Sequence, residues 1–122
     1  MADRHVAVLV HDPDEAEVLA RLLTLAGTVA GTVDGPPGLQ VLLDEGRLGG
    51  LVVGLEVGRV SGPRLTQVVR RHNDPDTAGV RVVVLAEKGT SPAAREEASA
   101  AGADTVLVKP FHIDDLIAAF AR

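Results

Sequence analysis

The chain has no cysteine, which excludes disulfides, zinc–thiolate centres and a cysteine nucleophile. It has no tryptophan or tyrosine, and its two aromatic residues are Phe111 and Phe120. A core must therefore be built from Val, Leu and Ala, and a hydrophobic content of 46% over 122 residues is enough for one. There is no Lys/Arg-rich block, and the formal net charge is −5. Nucleic-acid binding needs a basic face that neutralises phosphates, so this balance argues against it. No apolar run approaches the roughly 20 residues of a membrane span. The opening MADRHVAV lacks the pattern of a secretory leader. A cytoplasmic protein without membrane contact is the expectation. The length fits one domain over residues 1–122.

What is present alternates between short β-branched runs and amphipathic segments. HVAVLV (5–10) reads as a buried strand. DPDEAEVLARLLTLAG follows, with Asp12 able to cap, Pro13 suited to the first helical position and acids in the first turn. Its 3.6-residue pattern predicts that Val18, Leu19, Leu22, Leu23 and Ala26 face inward. TVAGTV (28–33) is a weaker strand, and DGPPGLQVLLDEG a turn and short helix. GLVVGL (50–55) is a third strand, followed by a helix over 62–72 with Leu65, Val68 and Val69 inward. NDPDTAG reads as a loop and VRVVVLA (80–86) as the fourth strand. Ser91 caps the next helix, TVLV forms the fifth strand, and HIDDLIAAFAR is the last helix, with Ile113, Leu116, Ile117 and Phe120 inward. Five β-α units predict a doubly wound α/β domain, a five-stranded parallel sheet flanked by five helices. Ligands in such folds sit at the carboxyl ends of the strands.

The stretch DTVLVKPFHIDDL poses the functional question. A buried-looking strand runs into Lys109, and Pro110 ends it. An ammonium in that place needs a carboxylate or phosphate partner. The carboxylates within reach at the strand exits are Asp12, Glu56 and Glu87, expected in that order; the alternative is a solvated lysine. The other candidates have plainer readings. His11 with one carboxylate makes a poor metal site. Glu56 could place a fixed negative charge in the cleft or lie in solvent, and Glu87 likewise. Asp114 and Asp115 are helix-start acids. The glycines of GLEVGRVSG lack the GxGxxG spacing of a phosphate loop.

GADTVLVKPFHIDDL resembles the closing Gly-Ala-Asp, apolar strand and Lys-Pro-Phe of response regulator receiver domains, which are flavodoxin-like. HDPDEAEVLARLL is similar to their opening Asp-Pro-Asp and first helix, and Gly62 falls at their loop-closing glycine. The resemblance implies a phosphorelay module of two-component signalling. In such domains an Asp ending the third strand accepts a phosphoryl group. Acidic residues after the first strand hold Mg²⁺, a Thr or Ser ends the fourth strand, and the lysine pairs with the phosphoryl oxygens. Carried onto this chain, the acceptor position is Gly54 and the Thr/Ser position Ala86. Val10 and His11 occupy the metal positions, with Asp12 just outside, and Val106 stands where a switch aromatic is usual. Only Lys109 is kept. The resemblance therefore implies a vestigial pocket of Val10, His11, Asp12, Gly54, Glu56, Ala86, Glu87 and Lys109, with no catalytic residue, metal or cofactor. The expected function is a pseudo-receiver, not an enzyme, that acts by binding protein partners. It could also pair with itself through the fourth helix, fifth strand and fifth helix, including Ala98, Ala101, Val106 and residues 114–122. The alternatives are a receiver with a displaced acceptor, Glu56 or Asp12, and a small-anion sensor at Lys109.

Overall fold

The computed structural model describes residues 4–121, so Met1–Asp3 of the leader reading and Arg122 of the expected pairing face lie outside the described residues. Strands β1 (His5–Leu9), β2 (Ala30–Thr32), β3 (Leu48–Gly54), β6 (Arg81–Ala86) and β7 (Thr105–Val108) form one parallel sheet in the order β2-β1-β3-β6-β7. A separate two-residue hairpin, β4 (Glu56–Val57) and β5 (Val60–Ser61), turns at Gly58, whose φ of 61° favours glycine. The helices are α1 (Pro13–Leu25), α2 (Gly35–Asp44), α3 (Gly62–Arg70), α4 (Pro75–Ala78), α5 (Pro92–Ala100) and α6 (Ile113–Phe120).

Successive strand residues point to opposite faces, and the core divides accordingly. Ala7, Leu9, Leu51, Val53, Val82 and Val84 pack under α2, α3 and α5. Val6, Val8, Val52, Val83 and Leu85 pack under α1 and α6. The doubly wound architecture is as the sequence implies, with three differences. First, the described residues hold six helices, not five. The segment read as a loop holds the single turn α4, where Asp74 accepts a hydrogen bond from the Asp76 N–H at 3.0 Å. Asp74-Pro75-Asp76 repeats the Asp12-Pro13-Asp14 start of α1, the signal the loop reading overlooked. Second, β7 is an edge strand, so Thr105–Val108 are half-buried and not a fully enclosed core run. Third, α1 is rotated from its expected phase. It buries Ala16, Leu19, Ala20 and Leu23, while Val18, Leu22 and Ala26 face outward. The two alanines let the helix backbone lie close to the sheet, and that close approach sets the phase. Val68 on α3 is exposed as well.

A half-buried arginine closes the amino-terminal side of the sheet. Arg70, at the end of α3, donates from Nε to the Gly102 carbonyl at 2.9 Å and from Nη1 to the Ala78 and Val80 carbonyls at 2.8 and 2.6 Å. Its Nη2 pairs with Asp104 Oδ2 at 2.9 Å, and that oxygen also accepts from the Val82 N–H at 2.8 Å. One guanidinium thus ties together three chain segments, the end of α3 and the approaches to β6 and β7, using the fork of donors that lysine lacks. Arg70→Met should lower the unfolding free energy by about 3 kcal/mol, because it strands carbonyls and a carboxylate together. Arg70→Lys should recover only part. Urea denaturation would measure both, and a loss under about 1 kcal/mol for Arg70→Met would show the cluster to be solvated.

Candidate functional site

The register of the sheet aligns the strand exits. Leu9 pairs with Val53, Gly54 with Leu85, and Ala86 with Val108. Above them opens a cleft of about 680 Å³ lined by Val10, His11, Asp12, Gly54, Glu56, Glu87 and Lys109, all named from sequence, and by Glu15, Leu55, Gly58, Leu85 and Thr90. Ala86 does not line it. It is fully buried, and its carbonyl accepts from the Lys109 N–H at 2.9 Å.

Lys109 is internally paired, but not as expected. Its Nζ lies 2.6 Å from Glu15 Oε1 and 3.0 Å from Glu87 Oε1. Asp12, the first-ranked partner, is used elsewhere: its Oδ1 accepts from the Asp14 N–H at 2.9 Å as the cap of α1. Glu56, the second, is exposed on the hairpin and makes no ion pair with Lys109. Glu87 was third, and Glu15 was not foreseen. Glu15 sits three residues after the cap, a position where Glu often turns back to the cap N–H. Here it reaches across to the lysine. The spacing Asp12-x-x-Glu15 at a helix start over strand exits was the available signal. The two pairs differ in kind. The side chains of Lys109 and Glu15 are 27% and 30% exposed, whereas Glu87 is 78% exposed. The Glu87 pair is therefore a surface contact of small energy, though its loop is further tied by Thr90 Oγ1 donating to the Glu87 carbonyl at 2.6 Å. Burial disfavours the Lys109 ammonium, but hydrogen bonds and charge from Glu15 and Glu87 outweigh it and hold its pKa above the ordinary lysine value.

Two glycines shape the floor. The Gly62 N–H donates to the Leu55 carbonyl at 2.8 Å, and a Cβ on Gly62 would overlap the Gly54 carbonyl oxygen. Only glycine lets α3 start this close to the end of β3. Gly54 is different: a Cβ there would meet Glu56 O at 3.4 Å and Val10 Cα at 3.7 Å, ordinary contact distances. The position has room for a side chain, and the sequence places none.

The architecture is a five-stranded doubly wound α/β domain with a paired lysine over its strand exits, and comparison with known proteins narrows it. The family model of the response regulator receiver domain matches residues 6–121. The chain belongs to the response regulator receiver domain family. It is similar to a response regulator from Burkholderia pseudomallei whose structure contains a phosphorylated aspartic acid, a calcium ion and citrate; identity is 26%, coverage 98% of this chain and 67% of that one, and TM-score 0.80. A response regulator receiver protein from Pseudomonas putida is 22% identical over 98% of this chain and 96% of that one, with TM-score 0.80. The Vibrio cholerae chemotaxis protein CheY4 is 20% identical over 96% and 95%, with TM-score 0.80. At those last two identities the likeness speaks for the fold alone. No curated protein matches the sequence.

Two expectations follow for Lys109. Lys109→Met keeps the stem and removes the charge, so a double-mutant cycle with Glu15→Gln should give a coupling of about 1 kcal/mol. The same cycle with Asp12→Asn should give none. Coupling to Asp12 instead of Glu15 would overturn the pairing. The pH dependence has a fixed sign. A lysine whose folded pKa is raised contributes stability in full below its unfolded value, about 10.4, and loses it as pH climbs through the folded pKa. The stability advantage of the native chain over Lys109→Met should therefore be flat from about pH 8 to 10 and shrink above that. Denaturation series at each pH would read this, and an advantage that grew at high pH would contradict it.

Proposed function

We propose that this domain is a pseudo-receiver: a non-enzymatic signalling module that acts through protein contacts and does not accept a phosphoryl group. The observation that carries the reading is Gly54, a glycine with room above it at the position where the receiver family places its aspartyl acceptor. The Burkholderia relative contains a phosphorylated aspartic acid; the corresponding chemistry needs a carboxylate nucleophile that glycine cannot supply. The surrounding groups point the same way. Mg²⁺ requires hard anionic oxygens, and the donor set does not fit it. Val10 offers alkyl carbons, His11 is an exposed imidazole, and Asp12 is committed to the α1 cap. Among the described residues no three His, Asp or Glu side chains cluster as metal ligands. Ala86 has no hydroxyl to donate, and Lys109 is already neutralised by Glu15 and Glu87. That pairing also weakens the anion-sensor alternative, because an incoming anion must displace two carboxylates in a cleft that Asp12 and Glu56 also line. The displaced-acceptor alternative is weakened by the engagement of Asp12 in the cap of α1.

A cytoplasmic location goes with this reading; among the described residues no helix is long and apolar enough to cross a membrane. Pairing through α5, β7 and α6 has less support. None of the exposed large apolar side chains among the described residues lies on those elements.

Incubation with an acyl phosphate and Mg²⁺ should give no covalent adduct by intact mass, and Gly54→Asp should not restore one. The new carboxylate fits sterically, but phosphoryl transfer depends on metal, lysine and hydroxyl acting as a unit. Stable labelling of the native chain would overturn the reading. Efficient labelling of Gly54→Asp would show that the remaining groups suffice for phosphoryl transfer. A titration should show no saturable Mg²⁺ binding below about 1 mM, the range of weak carboxylate sites. Tighter binding abolished by Asp12→Asn would restore a metal site.

A further inference from the structure

A second cleft, of about 800 Å³, opens at the opposite rim of the sheet, on the face that α1 and α6 cover. That volume is in the range of small-molecule sites, roughly 300–1,000 Å³. Its floor is Gly49, next to Gly50 on β3. A Cβ on Gly50 would run into the Phe120 ring at 2.8 Å, so the ring is seated on bare backbone. The ladder between β1 and β3 skips a residue here: His5 pairs with Leu48 and Val6 with Gly50, which leaves Gly49 unpaired. Such bulges interrupt regular pairing and re-aim the neighbouring side chains. One wall is apolar, Ile117 and Phe120 from α6. Across from it α1 runs out into Ala26 and Gly27, followed by Val29, which is 67% exposed.

The lining is opposite in charge to the chain. The sequence holds 17 Asp and Glu against 12 Lys and Arg. Yet the described residues that line this cleft include Arg4, His5 and Arg81 and no carboxylate. Arg4 and His5 lead into and open β1, and Arg81 opens β6, the two strands that flank the glycines of β3. Cations therefore stand on both sides of the floor, with backbones about 10 Å apart, a span that two arginine side chains can close on one acid group. Arg81 is exposed and makes no ion pair among the described residues. Arg4 meets Asp74 at 3.6 Å in an exposed pair of small energy.

We propose that this cleft binds a small organic anion. Its flat apolar body lies against Phe120, Ile117 and Val29, and its carboxylate or phosphate is held by Arg81 and Arg4. Both halves are needed. Helices α1 and α6 end at this rim with no basic residue in their last turns. Their partial negative charge disfavours a bare inorganic ion, so apolar contact supplies the rest of the binding. The site is at the other end of the strands from Lys109 and stands whether or not the Gly54 pocket accepts phosphate.

The test follows the backbone amide NMR signals of the full, isotope-labelled chain as four probes are added: naphthoate, naphthyl phosphate, the uncharged naphthalenemethanol and inorganic phosphate. At least one naphthyl anion should move the Gly27, Gly49 and Gly79 amides, which line the cleft. Half-saturation should fall at about 1 mM or below, the affinity of a ligand this small. The tighter of the two names the acid group. The alcohol and inorganic phosphate should each bind at least about tenfold more weakly, since each lacks one half of the recognition. Arg81→Gln should weaken the anion by about tenfold, the loss of one charge-assisted hydrogen bond. Val29→Glu, at an exposed site, should abolish binding while the remaining amide signals stay native. Arg64→Gln, exposed on α3 and away from the cleft, should change nothing. The proposal is overturned if neither anion gives a saturable shift at the three glycines, or if the shifts centre on Gly54 and Lys109 instead. Binding indifferent to Arg81→Gln, or equal binding of the alcohol or of inorganic phosphate, also overturns it.

Discussion

The ammonium of Lys109 is the constraint around which this domain's functional end is arranged. A parallel sheet delivers every strand exit to one rim, and here the lysine paired across that rim follows the last, edge strand. An uncompensated cation half-buried there would be costly. Two carboxylates answer it from different elements, Glu15 from the first turn of α1 and Glu87 from the loop after β6. The lysine therefore acts as a cross-tie between α1, β7 and that loop. The same side chain that would otherwise meet an added anion is occupied by the protein's own charges. Gly54 leaves the space beneath without a nucleophile, and the Gly62 backbone seals the floor from below.

β7 is held in this way at both ends. Asp104 precedes it and joins Arg70, while Lys109 follows it and joins Glu15 and Glu87. An edge strand of four half-buried residues has one neighbour to hold it, β6. The terminal ion pairs add to the ladder with β6 and to the packing of Val106 and Leu107 against the core. The two clamps are unequal. Arg70 makes four contacts, three of them to backbone carbonyls that no water needs to replace. The Lys109 clamp is wetter, and its Glu87 arm is mostly exposed. The strand is therefore fixed more firmly at its amino end than at the end that faces the cleft.

How much of this was legible in the sequence depended on the range of the interaction. The sheet and its order of elements follow from hydrophobic period and turn residues, which are local. The caps at Asp12 and Ser91 were readable for the same reason, and Ser91 Oγ does accept from the Ala94 N–H at 3.2 Å. Seven of the eight pocket residues named from sequence line one cleft, because the topology alone gathers strand exits. Of the two partners of Lys109, Glu87 was named from the sequence, but the more buried one, Glu15, was not legible. Asp12 and Glu15 differ by less than one helical turn, and the choice between them depends on where the helix axis lies over the sheet. The phase of α1 failed for a related reason. A pattern that ranks Val18 and Leu22 above alanine finds the more hydrophobic face, and here that is the outer one.

The position of α1 is thus decided by its smallest side chains, and this bears on how the helix can work. Ala16 and Ala20 lie on the buried face of α1, which packs over β1 and β2, together with Leu19 and Leu23. A helix seated on alanines has little freedom to tilt or slide without opening voids, which close-packed interiors resist. Glu15 stands on the same turn as Ala16 and is carried with it, so the carboxylate that meets Lys109 is placed by the packing of its neighbour. Val18, Leu22 and Leu25 project from the same rigid rod on the far side. The helix is therefore a mount that fixes an internal charge pair on one end and presents an apolar stripe outward. Any communication between stripe and cleft would have to break alanine-mediated packing first. The arrangement favours a surface that is displayed constantly over one that is switched.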